Sequence, residues 1–549
     1  MKKHIAVFRD EIKNRLDKEE KYREMLFRRG YLLTDSEILN TKEFPFYDKW
    51  KHVELGKYNL YVQEKQTFYI QRRDDIYTVI VGHAYNPFDM KYDENELCSE
   101  LIKIYAECKS VKDTRLEKYF DKISEFTGLH VIITIDKDKL IICQDSCGLT
   151  GAYFAKSENQ YVYIAEHPQL IADILKLKID ETVEKLIISK CYNIGNRYLP
   201  GNLTPYKEIK RLGANLYLEY DRDFVIKRFY PLRPHPEFKT EEEKRKAIEK
   251  IGDLIHNGIE CCSKKWERRA ISLSGGTDSK TTLACANGLY DKFSYFSFAS
   301  KPREFTDAEG AKKICEKLGL KHTFYKIPET NEEISDFDFL KKLLQHNTSY
   351  FVNLADHEIR KYIFLHNLDA YDIELKSWAS EVARVFLERK YQIKMPKTLS
   401  ERHFSIFQTR FFGHPKLLKW SDRTYHDFMR QIGIEKPLFN FDHPDMFYWE
   451  IRMSAWGTSV TSSQQIYHRV TMPMNNRKIL ETFLAFPKQE RKNDSVHKQI
   501  IAYKNKKVLE ANVDIRNLYF TPARIWTEKI FYFYRTIFYR KIKQKDEKN

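Results

Sequence analysis

The hydrophobic pattern of the chain changes twice. The first fifty residues are highly charged and read as helical, a separate extension (residues 1–50) with no recognisable chemistry. From about Tyr58 the apolar positions fall into short alternating segments: Leu60-Tyr-Val, Thr67-Phe-Tyr-Ile and Ile76-Tyr-Thr-Val-Ile-Val. A helical interval near Glu94–Cys108 separates these from further strands at Leu129–Ile135 and Lys139–Cys143, joined by a polar Asp136-Lys-Asp-Lys turn. Gln160–Ala165, Asn215–Tyr220 and Val225–Phe229 follow, so residues 51–230 are expected to be a mostly antiparallel β domain with inserted helices. Pro231 to Thr240 carries three prolines and reads as a linker. Beyond it the period switches to helix (Glu241–Cys262), strand (Arg269–Leu273), helix (Asp278–Leu289), strand (Phe293–Phe298) and helix (Asp307–Leu318). That alternation predicts a doubly wound parallel sheet within a second domain, 241–510, whose later part from about Phe337 is largely helical.

A chain of 549 residues is too long for one ordinary core, which agrees with this division. No apolar run is long enough to span a bilayer, and Met1-Lys-Lys-His-Ile-Ala-Val-Phe-Arg-Asp meets an acid too soon for a secretory apolar region. The nine cysteines, among them Cys98, Cys147 and Cys191, show no paired CxxC spacing, as expected of scattered reduced thiols in a cytoplasmic protein. The net charge of +16 is partly owned by the tail (511–549), where Arg524 to Asn549 holds eight Lys/Arg against three acids. The same stretch carries Ile525, Trp526, Ile530, Phe531, Phe533, Tyr534, Ile537 and Phe538 at helical spacing. Residues 524–545 could pack on the body or make peripheral contact with an anionic membrane, and the wide spread of apolar positions round the helix favours packing. No nucleic-acid-binding motif accompanies the charge, so nucleic acid is not favoured as a partner.

The most informative stretch is Ala270-Ile-Ser-Leu-Ser-Gly-Gly-Thr-Asp-Ser-Lys-Thr-Thr. A short strand runs into two glycines, which let the backbone turn and approach a ligand closely. The first turn of the next helix then presents N–H groups that favour a phosphate anion. Ser274, Thr277 and Ser279 add hydroxyl donors and Lys280 adds charge, while Asp278 makes sense if Mg²⁺ bridges it to the phosphates. A helix capped after a Gly-Gly turn is the bland alternative. The string lacks the GxxxxGK[ST] spacing of a Walker A loop. It resembles instead the PP-loop of the N-type ATP pyrophosphatases, which release pyrophosphate and adenylylate a substrate. That resemblance implies ATP contacts at Ser272, Leu273, Ser274, Gly275, Gly276, Thr277, Asp278, Ser279, Phe298 and Ser377. Asp307 and Glu309 precede a helix closing with Lys317-Leu-Gly-Leu-Lys-His322, as in the same superfamily; His322 is chemical, or it is a boundary residue capping the next strand.

Module order narrows the likeness. A β-rich half followed by a PP-loop half resembles the asparagine synthetase family, in which a class II glutamine amidotransferase domain feeds ammonia to an aspartyl-adenylate. Phe126-Thr-Gly-Leu-His-Val-Ile-Ile-Thr-Ile-Asp, Leu140-Ile-Ile-Cys-Gln-Asp-Ser-Cys-Gly148 and Ala152-Tyr-Phe-Ala155 match that domain in order. Gly201 to Ala214, Arg228-Phe-Tyr230 and, near the end, Tyr467 to Leu480 followed by Pro487 and Lys498 add to it, over roughly residues 55 to 510. The resemblance implies an α/β and α+β fold: an N-terminal αββα Ntn-like amidotransferase-type sandwich, then a doubly wound PP-loop ATP pyrophosphatase domain with a helical C-terminal part.

Two departures bear on function. The family's glutaminase nucleophile is a cysteine at the head of the mature chain, and no cysteine precedes Cys98 here, so glutaminase activity is expected to be lost. The family's second loop, Ser-Gly-x-Gly-x-Asp-Glu, is matched best by Asp372-Ile-Glu-Leu-Lys-Ser-Trp-Ala-Ser-Glu-Val-Ala. There Glu381 stands at the magnesium-binding acid and Trp378 at a catalytic acid, while an ordinary helix Ala379–Glu388 capped by Ser377 is the alternative. Asp278 and Glu381 are then the metal candidates. Lys280, Glu381 and Glu450 are the catalytic ones, with Glu374 a further candidate base, and Tyr448 and Arg452 could hold a substrate carboxylate.

The expected function is an AMP- and pyrophosphate-forming amide ligase using ATP and Mg²⁺. Its substrates would be a small-molecule, peptide or sugar-acid carboxylate and an amine donor. Two other readings stand beside it: a nucleotide-binding scaffold whose catalytic residues are lost, and a tRNA-modifying PP-loop enzyme. Oligomeric state is left open by the sequence.

Overall fold

A computed structural model describes residues 4–36, 49–111, 116–189, 192, 198–352, 354–408, 415–435, 438–511 and 521–538. Cys191 and the part of the tail beyond Phe538 lie outside them. Twelve strands build the first half: β1 Tyr31–Thr34, β2 Lys51–Leu55, β3 Tyr58–Val62, β4 Phe68–Arg73, β5 Ile76–Tyr85, β6 Thr127–Asp136, β7 Lys139–Gln144, β8 Tyr153–Lys156, β9 Val162–Ala165, β10 Lys210–Arg211, β11 Leu216–Tyr220 and β12 Phe224–Arg228. They form two six-stranded sheets, ordered β10-β8-β9-β1-β3-β2 and β12-β11-β7-β6-β5-β4, and every pairing is antiparallel.

The period-two pattern explains the layering. In the first sheet Leu33, Leu60, Val62, Phe154, Val162 and Ile164 share one core with the second sheet, and the Phe154 and Phe224 rings meet across the gap at 4.9 Å. Their neighbours Leu32, Tyr61, Ala155, Tyr163 and Ala165 point the other way, into a second core with helix Pro168–Leu175. Helix Glu94–Ser110 covers the outer face of the second sheet, burying Leu97, Leu101 and Tyr105. The stack is helix, sheet, sheet, helix.

Residues 4–36 are not a separate extension. β1 lies inside the first sheet between β9 and β3, and helix Arg9–Lys18 buries Ile12 and Leu16 in the same core as Leu340, Leu343 and Leu344. The domain therefore begins before residue 51. β1 is four residues long and buried on both faces, so no alternation announces it.

The second half holds five parallel strands: β13 Arg269–Ser272, β14 Ser294–Ala299, β15 His322–Lys326, β16 Ile373–Leu375 and β17 Arg469–Thr471, in the order β15-β14-β13-β16-β17. Helix Glu241–Lys265 leads in, opened by a Thr240–Glu243 capping box, and the predicted alternation holds through helix Pro302–Lys317. β16 and β17 interrupt the region read as helical. The two halves are bolted together by buried polar contacts: Asn475 Nδ2 donates to Gly128 O at 2.8 Å, Arg477 Nε to Asn215 Oδ1 at 3.0 Å, and Trp449 Nε1 to Ser146 O at 2.9 Å. The eight described cysteines are buried. No helix among the described residues is long and apolar enough to cross a membrane.

Candidate functional site

The strand order places the site. From β13 the chain moves outward on one side to β14 and β15, then returns to the other side as β16. Loops leaving the carboxyl ends of β13 and β16 diverge there, which makes a crevice at the switch in direction. The Ser274–Lys280 string leaves β13 and the stretch Lys376–Arg384 leaves β16, so the two stretches face one crevice.

Leu273 is fixed at the strand end by its N–H to Phe296 O (2.9 Å) and by Ser297 Oγ donating to its carbonyl (2.7 Å). Ser274 N donates to Ser279 Oγ at 3.3 Å, the two hydroxyls lie 3.0 Å apart, and Gly276 N donates to Ser274 Oγ at 3.3 Å. Helix Thr277–Cys285 starts at Gly276, which has no side chain to cap it, so its first turn keeps the anion-facing end a helix offers. Ser272 pairs with Phe296 on β14, Gly275 is buried, and Phe298 carries Lys361 Nζ 4.9 Å above its ring. Lys280 is half-buried in the first helical turn.

Beyond β16, residues Trp378–Ala383 form a 3₁₀ turn with Ser377 at its head, and a short helix resumes at Phe386; one continuous helix Ala379–Glu388 does not form. This turn brings Glu381 to Asp278, and both meet one guanidinium. Arg384 Nη1 donates to Asp278 Oδ2 at 2.8 Å and to Glu381 Oε2 at 2.7 Å, while its other edge grips Asp494 bidentately at 2.8 and 2.9 Å. Arg389 approaches Glu381 (3.8 Å) and Asp494 (3.5 Å), and Ser380 Oγ bonds Asp278 Oδ1. His497 lies 3.9 Å from the same Asp278 oxygen.

The electrostatics follow from burial against charge. Burial opposes the charged form of Arg384, but Asp278, Glu381 and Asp494 outweigh it and raise its pKa well above normal. Burial raises Glu381 against the pull of Arg384. Asp494 is held below its ordinary value because Arg384 and Arg389 overcome its burial. Burial pushes His497 down to about 4, so it is neutral at pH 7. Two converging carboxylates are hard donors that suit Mg²⁺ in combination with phosphate oxygens. Among the described residues no three acids, histidines or cysteines gather closely enough to hold a metal by themselves. The cation that bridges the pair in the free chain is Arg384.

Other candidates fall elsewhere. Glu450 is not aimed at the loop: Arg228 grips it bidentately at 2.5 and 2.8 Å and Asn215 Nδ2 adds a bond at 3.2 Å, making it a clamp between the two halves. Glu374 is buried on β16 against Lys376 and His468, which together overcome burial and lower its pKa. His322 Nε2 lies 2.9 Å from Ser297 Oγ on the neighbouring strand, the boundary role. Trp378 meets Trp456 edge to face at 5.5 Å, and the Arg452 guanidinium is boxed by Phe386 (5.0 Å), Tyr448 (5.6 Å) and Trp456 (4.8 Å). Burial raises the Tyr448 phenol against the pull of Arg452, and the charges of Glu381 and Asp278 add to the rise. Arg384, Asp494 and His497 were not singled out from sequence. Arg384 had one available signal, its i+3 spacing from Glu381.

Residues 253–363 match the family model for asparagine synthase, so this segment is similar to that family. The match takes in the Ser274–Lys280 loop and ends before Ser377–Arg384. A Methanocaldococcus jannaschii protein named "Putative asparagine synthetase (glutamine-hydrolyzing) 2" is 24% identical over 273 residues, covering 48% of this chain and 51% of that protein. The chain thus spans about half the length of the curated relative it matches. Two solved structures align loosely. One is titled as the allosteric regulatory enzyme of purine biosynthesis (8% identity, 50% of this chain, 60% of that one, TM-score 0.20). The other is a B. subtilis glutamine phosphoribosylpyrophosphate amidotransferase (9%, 55%, 61%, TM-score 0.20). Alignments that loose add nothing to the fold described above.

Proposed function

We propose, from this asparagine synthetase-like frame, that the protein is an ATP-dependent amide ligase that releases AMP and pyrophosphate. The observation that carries the reading is convergence: an uncapped helix start after β13 and an acid after β16 meet at the switch point of a parallel sheet. Ser274, Thr277 and Ser279 with the first-turn N–H groups would bind the phosphates, and Lys280 would add charge. Phe298 and Ser377 would line the nucleotide. Asp278 and Glu381 would hold Mg²⁺, which when bound supplies positive charge against the phosphates. Arg384 would then exchange its carboxylate partners for the phosphates or for Asp494 alone. A substrate carboxylate would lie against Tyr448 and Arg452, where a guanidinium in an aromatic box favours an anion over water. Most of the rate would come from positioning and fixed charge.

The nitrogen would come from ammonia or an amine rather than from glutamine hydrolysed by this chain. β1 opens after Arg29-Gly30 with no cysteine at its head. Burial pushes Cys98, Cys143, Cys261, Cys285 and Cys315 up to about 12, far from a reactive thiolate. Purified protein with ATP, Mg²⁺ and a panel of carboxylates tests this through pyrophosphate release and ATP–pyrophosphate exchange. ATP binding without pyrophosphate release would move the reading to a nucleotide-binding scaffold. The bridge of Arg384 between the two acids favours that second reading, because an arginine already stands between the acids that would hold the metal.

A further inference from the structure

The tail helix Pro522–Phe533, extended by a wider turn Tyr534–Phe538, has two apolar faces. One is bolted to the body. Phe531 and Tyr532 are buried, Tyr532 lies parallel to Phe407 at 6.4 Å and meets Tyr391 at 5.7 Å, and Arg535 reaches Asp422 at 3.3 Å. The packing anticipated from sequence accounts for this face. The other face is bare: Trp526 is 66% exposed, Ile530 61%, Phe533 45%, Tyr534 51% and Ile537 50%. Their spacing of four, three, one and three residues makes one continuous stripe along the helix. No other helix or strand among the described residues exposes more than one large apolar side chain. Scattered exposed residues need no explanation, whereas a stripe of five does.

The charges beside the stripe select its occupant. Arg524 is exposed at the start of the helix, and Lys529 lies 5.7 Å over the Trp526 ring. Beyond Phe538 the sequence continues with Arg540, Lys541, Lys543, Lys545 and Lys548 against only Asp546 and Glu547. The one acid within the helix, Glu528, is on the buried face. Aromatic and branched apolar groups on one line, with Arg524 and Lys529 beside them and a basic sequence after Phe538, match a headgroup interface whose phosphates are anionic. We propose that this stripe docks the protein on an anionic lipid surface, with the helix lying in the plane of the membrane. The fixed inner face makes the docking rigid, so the body would hold one orientation to the bilayer.

Sedimentation of the full chain with vesicles tests this independently of any ATP chemistry. Vesicles of phosphatidylcholine alone are compared with equimolar phosphatidylcholine and phosphatidylglycerol. Binding should be at least about tenfold stronger to the anionic vesicles and should weaken as salt rises. Trp526→Ser with Ile530→Ser, both exposed and so harmless to folding, should lower it about tenfold or more. Lys541→Glu with Lys543→Glu should lower it on anionic vesicles. A full chain that stays in the supernatant overturns the proposal, as does binding that ignores both pairs of substitutions. Self-association without lipid that Trp526→Ser abolishes would overturn it too, assigning the stripe to a second copy.

Discussion

Arg384 hydrogen-bonds Asp278 at 2.8 Å across 106 residues of chain, and the same nitrogen bonds Glu381 at 2.7 Å. One guanidinium therefore stands between the two acids that a phosphate-bound divalent cation would need. With Asp494 included, three carboxylates surround Arg384 and Arg389. The cluster is short of positive charge before any phosphate arrives, and a nucleotide entering it must bring a cation with it or draw Arg384 toward itself.

Asp278→Asn keeps the shape of the side chain and removes its charge. ATP–pyrophosphate exchange should fall by about 100-fold or more, the scale of removing a fixed charge from a transition state. Exchange that persisted within twofold of the native chain would sink the metal role of Asp278.

Arg384→Gln tests the competition directly. If Arg384 and Mg²⁺ contend for the same two acids, the variant should reach half-maximal ATP binding at a lower Mg²⁺ concentration than the native chain. It should also lose stability by about 3–5 kcal/mol, since three acids are left short of a partner in a mostly buried place. Calorimetric titration of nucleotide at several Mg²⁺ concentrations, with thermal unfolding alongside, separates the two effects. An unchanged Mg²⁺ requirement would mean that Arg384 does not occupy the metal's place.

Glu450 offers the opposite signature. It is 1% exposed and clamped by Arg228, so Glu450→Ala should cost about 3–5 kcal/mol by leaving a guanidinium uncompensated. Its ATP–pyrophosphate exchange at low temperature should remain near that of the native chain. A specific loss of exchange without loss of stability would restore Glu450 as a base.

How much was legible follows from where each signal is stored. The loop Ser274–Ser279 is local: strand, two glycines, hydroxyls and helix stand in one string, and their chemistry can be read without knowing the fold. The alternating strands β5 to β7 were legible for the same reason. β1, β16 and β17 are three or four residues long and buried on both faces, so neither alternation nor length marks them. The partners Arg384, Asp494 and His497 meet Asp278 only because β13 and β16 are neighbours and helix Ser495–Asn505 packs on the loop helix. That adjacency is tertiary. The clamp on Glu450 was hidden likewise, because its partner Arg228 lies 222 residues away on β12.

The pH dependence of stability should carry the imprint of the buried histidines. His497 is 1% exposed, and neither ring nitrogen finds a hydrogen-bond partner among the described residues. Burial, with Arg384 and Arg389 adding to it, outweighs the pull of Asp278 and Asp494 and lowers its pKa to about 4 from an ordinary 6.5. His130, His167 and His468 are pushed to about 4 by burial as well. In each case the unfolded chain takes up the proton near pH 6.5 while the folded chain refuses it until about pH 4. The unfolded state therefore binds more protons in that window. Stability is fully present above pH 6.5 and is lost as pH falls toward 4, by on the order of 3 kcal/mol for each histidine. Burial raises Glu166 to about 8, and its contribution runs the other way, declining as pH rises from 4.5 to 8. Four such histidines against this acid leave a net fall on the acid side. Thermal unfolding between pH 4 and 8 reads the slope, and His497→Phe, which keeps the stack on Phe483 at 5.0 Å, should flatten it by about one quarter of the histidine contribution. An unchanged slope in that variant would mean that His497 titrates normally and that the space beside Asp278 is wetter than its burial implies.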